Sequence, residues 1–227
     1  MKKRLATFRL ALALTLSAWL ASACAASAPE ILAIDSRLIA YQVEGSPGFV
    51  ERLTVFANIR DADGSDDLDA LFIEHASQEL FWQLTAENWN YREEGDQLWL
   101  GQNGLASGQA VLPRGEYRLT LIDLAGQRTE QDFTLAAPVK PLYEFPTLQH
   151  EAVNQLEIQS GYQLNTLFFL DAGGNVVKTV NTASGSHTLD NLWGDSMWRN
   201  QAHALTLYAF DIAAETGLFT RQIRIRK

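Results

Sequence analysis

Cysteine is almost missing from this chain of 227 residues: there is one, Cys24. No intrachain disulfide can form, so any folded unit must be held by an apolar core rather than by covalent staples. The four histidines, His75, His150, His187 and His203, show no His-x-x-x-His spacing. With no second cysteine to join them, a zinc site has no local signature. No glycine-rich loop opens a helix, which removes the usual nucleotide cradle. Ser184-Gly185-Ser186-His187 sets serine beside histidine but lacks the Gly-x-Ser-x-Gly elbow, so a turn is the better reading. Basic residues are also short: 18 Lys and Arg face 27 Asp and Glu, a net charge of −9. That balance argues against nucleic acid, whose binding is dominated by phosphate charge. Carboxylates are plentiful, but sequence does not show which two could face each other as a glycosidase acid and base. Neither an enzyme nor a cofactor is expected.

The lone cysteine lies in an informative place. Lys2, Lys3, Arg4 and Arg9 make a basic start, and residues 10–20 follow as an uncharged apolar run. The run is shorter than the roughly 20 residues a membrane span needs. Ala21-Ser22-Ala23 then leads into Cys24, and the whole is a secretory signal. Its end resembles a bacterial lipobox, the site where a lipoprotein precursor is lipidated on cysteine and cut just before it. Ala21 stands where that signal usually has Leu. The resemblance implies cleavage after residue 23, a palmitate-type lipid anchor on Cys24 and a place in the bacterial cell envelope. Ala25 after the cysteine favours the outer membrane over the inner. The alternative is an ordinary signal-peptidase cut that leaves a free thiol, a liability in an oxidising compartment. Losing residues 1–23 takes four basic and no acidic residues from −9, leaving −13. So acidic a chain would not dock on anionic lipid, and attachment would rest on acyl chains. The tether of residues 24–29 is short; about five extended residues reach roughly 17 Å.

The remainder reads as many short strands with Gly-rich turns, which argues an all-β fold. In residues 52–60, Leu53, Val55, Ala57 and Ile59 alternate onto one face. Residues 93–96 and 171–175 mark hairpins. The best-defined stretch, residues 112–126, runs Leu-Pro-Arg-Gly-Glu-Tyr-Arg-Leu-Thr-Leu-Ile-Asp-Leu-Ala-Gly. It resembles the penultimate strand of bacterial immunoglobulin-like domains. Tyr117 stands where a tyrosine corner would put its ring in the core and its hydroxyl on upstream backbone. Pro138 and Pro141 favour an extended linker. Leu207-x-Ala209-x-Asp211 echoes Leu119-x-Leu121-x-Asp123. The expected organisation is a signal peptide (1–23), a lipidated tether (24–29), an immunoglobulin-like sandwich (30–137), a linker (138–143) and a smaller sandwich (144–227). Residues 218–226 are expected as one closing strand.

Two candidate sites remain. Asp61, Asp63, Asp66 and Asp67 offer hard oxygen ligands suited to calcium. Set against an EF-hand loop, however, Ile59 and Ala70 fall at ligand positions, and Asp and Gly suit a plain turn. Trp193, Met197, Trp198 and Arg199 fall in a segment without strand alternation, and these residue types are enriched at interfaces. They are expected as a partner-binding loop; the opposing reading folds the tryptophans inward to plug a small sandwich. Trp82, Trp89 and Trp99 lie in strands and are expected in the core. The function expected is a membrane-anchored protein with a binding or structural role toward an envelope protein or glycan. The alternative is a carbohydrate-binding module or glycosidase accessory protein, marked by coplanar exposed aromatics on a concave sheet.

Overall fold

The computed structural model describes residues 27–44, 48–62, 64–95 and 97–226. The signal sequence and Cys24 lie outside the described residues.

Strands β1 (Glu30–Gln42) and β2 (Phe49–Arg60) pair antiparallel along most of their length. On β2 the alternation does what the sequence requires: Leu53, Val55, Ala57 and Ile59 are buried. Strands β3 (Leu68–His75), β4 (Leu80–Leu84), β5 (Asn90–Glu94), β6 (Gln97–Leu105), β7 (Gly115–Asp123) and β8 (Arg128–Leu135) follow. They make two layers, β1-β2-β6-β5 and β4-β3-β7-β8, around one apolar core. Lettered in chain order, with β4 as an added C′, the layers are A-B-E-D and C′-C-F-G. That is the strand order of an immunoglobulin-like sandwich.

Tyr117, at the start of β7, forms the expected corner. Its ring is 1% exposed and stacks on Phe133 at 5.4 Å, while its hydroxyl donates to the Pro113 carbonyl at 2.8 Å. Burial pushes that hydroxyl's pKa up to about 12, so it stays a neutral donor.

The second half holds β9 (Thr147–Ala152), β10 (Gln155–Gln159), β11 (Asn165–Leu170), β12 (Val176–Thr182), β13 (Gly185–Thr188), α1 (Leu189–Trp193), α2 (Trp198–Gln201), β14 (Ala204–Asp211), β15 (Thr216–Phe219) and β16 (Ile223–Arg224). The layer β13-β10-β9 faces β12-β11-β14-β15 across a second core that includes Leu156, Phe169, Trp198 and Leu207. The closing strand comes as two pieces. Thr220 turns inward, its hydroxyl accepting from the Leu207 amide at 2.9 Å, and this interrupts the run before β16.

The two halves are joined by backbone. Residues 38–41 of β1 pair in parallel with β15, from Leu38↔Thr216 to Tyr41↔Phe219. One sheet path therefore runs β12-β11-β14-β15-β1-β2-β6-β5, with β16 attached to β14. Ala40, Tyr143, Ala214 and Leu218 form a third apolar cluster at the junction, with Phe49 edge-on to Tyr143 at 4.8 Å. The expected linker is thus not a free spacer. Pro138, Val139, Pro141 and Leu142 are exposed, but Tyr143 is buried and Lys140 pairs with Asp211 at 3.2 Å.

Candidate ligand-binding groove

Strand alternation decides what the joined sheet shows on its two faces. Leu38 and Ala40 on β1, Leu205 and Leu207 on β14, and Leu167 and Phe169 on β11 all point to the cores. Their neighbours Arg37, Ile39, Tyr41, Tyr208 and Phe168 point the other way. The register carries this across the junction, since Tyr41 lies opposite Phe219 and Phe219 opposite Tyr208. Both cores therefore sit on one side of the sheet, and the other side is a single open face.

A groove of about 740 Å³ lies in that face. One bank is aromatic and comes largely from the second half. Tyr41 and Phe219 stack at 5.2 Å with planes 5° apart, and Phe168 and Tyr208 tilt against Phe219 at 5.4 and 5.0 Å. The other bank comes from the first half: Phe56, Tyr91 and Trp99, with Asn90, Arg92 and Asn103. Asp35, Arg37 and Thr54 lie on the floor between them. Burial raises the pKa of the Tyr41 hydroxyl, with the nearby Arg52 opposing, so it too remains a neutral donor.

Gly217 makes the flat floor possible. A Cβ there would stand 2.6 Å from the Tyr208 ring and 2.7 Å from Ile39 Cδ1. The missing side chain lets Tyr208 lie across β15.

Beneath the groove a buried ionic cluster fixes the junction. Glu51 sits one step upstream on the inward face of β2 and is 1% exposed. Its carboxylate accepts from both terminal nitrogens of Arg114 at 2.8 Å, from the Leu112 amide at 2.8 Å and from the Tyr143 hydroxyl at 2.7 Å. Arg114 Nε donates to the Ala137 carbonyl at 2.6 Å. Burial, helped by the Glu51 carboxylate, pushes the Tyr143 pKa far up. The guanidinium spans strand β2, the turn before β7 and the start of the inter-half segment. Sequence reasoning did not pick out Glu51, though the alternation it used places Glu51 on the same face as Leu53 and Val55. An acid on a buried face must find partners.

The expected contact loop is corrected by burial. Trp198 is fully buried and Trp193 is 8% exposed. Trp193 meets Phe169 edge-on at 5.0 Å; Trp198 donates its indole N–H to Asp190 at 2.6 Å, and Arg199 caps its ring at 4.4 Å. The Thr188 hydroxyl accepts from the Asn191 amide and starts α1. Gly194, at φ 100°, ends it. The segment plugs the end of the second core. Met197 is exposed and Arg199 half-buried, but Arg199 is engaged with Asp190 at 3.1 Å. A small core gains more from two indoles inside than outside.

In the aspartate loop, residues Ser65–Asp67 form a single 3-10 turn. Asp63 lies outside the described residues. Among the described residues no three acids, histidines or cysteines converge to hold a metal. Trp82 and Trp89 pack against the first core as expected, whereas Trp99 lines the groove instead. Within β6 the alternation sets Trp99 opposite Leu98 and Leu100, which face the core, and the register with β2 decides what that outer face meets.

The chain matches no family model and no curated protein. Solved structures similar to it include dimeric latent PorU from Porphyromonas gingivalis, at 14% identity and a TM-score of 0.35. The match covers 87% of this chain but 20% of PorU, so the chain spans about a fifth of that protein's length. Another is a chain of the crystal structure of Dpr11 IG1 bound to DIP-gamma IG+IG2, at 12% identity and a TM-score of 0.27, covering 87% of this chain and 98% of that one.

Proposed function

We propose that this chain is a lipid-anchored cell-envelope protein with a non-catalytic binding role, and that the open face of the joined sheet is its binding surface. In this reading two tandem immunoglobulin-like units, residues 30–137 and 144–227, follow a signal peptide cut before Cys24. One observation carries it: the groove is walled by side chains from both halves, and its aromatic rings stay partly exposed to solvent. Pockets lined by aromatics with a few placed polar groups are where proteins take ligands. A short tether would hold this surface near the membrane.

The test has two arms. Cys24→Ser is expected to release the protein from membranes or stall its processing; normal cutting and full membrane retention would remove the anchor. For the groove, the mature protein is co-sedimented with isolated envelope fractions beside Phe219→Ala. Wild type is expected to sediment with one fraction and the variant, still folded, to stay in solution. Equal sedimentation of the two would take the groove out of the function.

A further inference from the structure

Resting on the groove reading above, we infer that the groove takes an extended acidic oligosaccharide. Its sugar rings pack against the exposed parts of Tyr41, Phe219 and Tyr208, and its carboxylates meet Arg37 and Arg52.

Backbone recognition is closed off first. β15, β1 and β2 each have hydrogen-bonded strands on both sides. A peptide cannot add itself as a strand between the banks, because that mode needs a free sheet edge, and the free edge of β5 lies at the outer bank. Recognition falls to side chains. The side chains present are a cluster of partly exposed aromatic rings with polar groups around it. Tyr41 and Phe219 stack with parallel planes, Tyr208 and Phe168 lean on Phe219 at 52° and 54°, and all four rings stay partly exposed. Partly exposed aromatic rings suit the C–H face of a sugar ring. Thr54, Asn90 and Asn103 line the same groove and add polar groups to it. The Trp99 indole N–H has no acceptor among the described residues, while its ring lines the groove.

Charge selects the class of sugar. The chain as a whole is strongly acidic, yet the groove face is not. Outward on β1 and β2 stand Arg37, which lines the groove, and Arg52, which lies just beyond its lining near Tyr41; neither has an ion-pair partner among the described residues, whereas Arg92 on β5 is paired with Glu94 at 3.0 Å. Asp35 is the one carboxylate among the groove-lining residues. Arg37 holds its guanidinium 5.6 Å over the Phe210 ring, which orients the group without neutralising it. An oriented guanidinium matches a carboxylate with two parallel bonds. Two free cations fit a ligand with spaced carboxylates. They do not fit a nucleic acid strand, which carries a phosphate at every residue and needs a positive track along its length.

The experiment titrates the purified mature protein with an oligogalacturonate and with a neutral cello-oligosaccharide of the same length. Calorimetry is the readout, and thermal unfolding is the fold control. Wild type is expected to bind the acidic oligomer, less tightly as salt rises. Arg37→Gln and Arg52→Gln are each expected to weaken it by about tenfold, the loss of one charge-assisted pair. Phe219→Ala should weaken both sugars together. Equal affinity for the neutral oligomer, with no effect of Arg37→Gln, would overturn the acidic class and leave the groove. Binding of neither sugar while an aromatic-rich peptide binds in a Phe219-dependent way would overturn the glycan class. Sugar binding that survives Phe219→Ala with unchanged affinity would overturn the groove itself.

Discussion

Removing the Glu51 carboxylate tests the junction most directly. Glu51→Ala leaves the Arg114 guanidinium, whose side chain is 14% exposed, without its counter-charge. The Leu112 amide and the Tyr143 hydroxyl lose their acceptors in the same step. Truncating one partner of a buried ion pair costs about 3–5 kcal/mol, because the other charge remains in a poorly solvating place. For a chain of this size each kcal/mol lowers the unfolding midpoint by roughly 2–4 °C, so the drop should be about 6–20 °C. Glu51→Gln should also destabilise. Both carboxylate oxygens receive N–H or O–H donors, and an amide NH₂ would point a donor at a donor on one side. Tyr143→Phe removes a single bond to a charged acceptor and should cost about 1.5–3 kcal/mol. Thermal and urea unfolding of the three variants give the values. The double variant Glu51→Met/Arg114→Met separates charge from shape: it should recover much of the loss if the cost is an orphaned charge. A midpoint for Glu51→Ala within 1 °C of wild type would refute the reasoning. So would additive losses in the double variant, since contacting partners must couple.

Trp198→Ala should destabilise by about 3–5 kcal/mol, as large buried aromatics do, and unchanged unfolding would restore the exposed-loop reading. Asp190 is held below the usual carboxylate range by the Trp198 indole N–H and Arg199. Its contribution is therefore present above about pH 4 and fades as the pH falls through the lowered value, so Asp190→Asn should flatten the acid limb of the stability profile. An identical acid limb in the variant would show that Asp190 does not contribute. Gly217→Ala should push Tyr208 off the groove floor and weaken ligand capture more than it lowers the melting temperature; the reverse ranking would mean the glycine serves only packing. Tyr117→Phe should cost about 1 kcal/mol through its one lost hydroxyl bond, and denaturant titration measures that.

Local pattern was enough to read some elements from the chain. The alternation of Leu53, Val55, Ala57 and Ile59 fixes which face of β2 is buried, because successive side chains must point to opposite sides. The turn before Tyr117 fixes the corner, because ring and acceptor lie four residues apart. The Asp171–Asn175 turn fixes the β11–β12 hairpin for the same reason: the partners are neighbours in the chain. The tryptophans of residues 193–198 were misplaced because two helical turns of five and four residues are too short to show a period.

What tertiary structure alone decided is of longer range. Nothing near Leu38 announces that it will pair with Thr216, across most of the chain. That pairing makes one sheet of two, puts both cores on the same side of it, and brings Tyr41 flat against Phe219. The sequence alone supplied the residues of the groove as scattered aromatics on seven strands. Only the register of those strands turned their outward faces to a common side, because a strand's own alternation says which residues share a face but not what that face will meet.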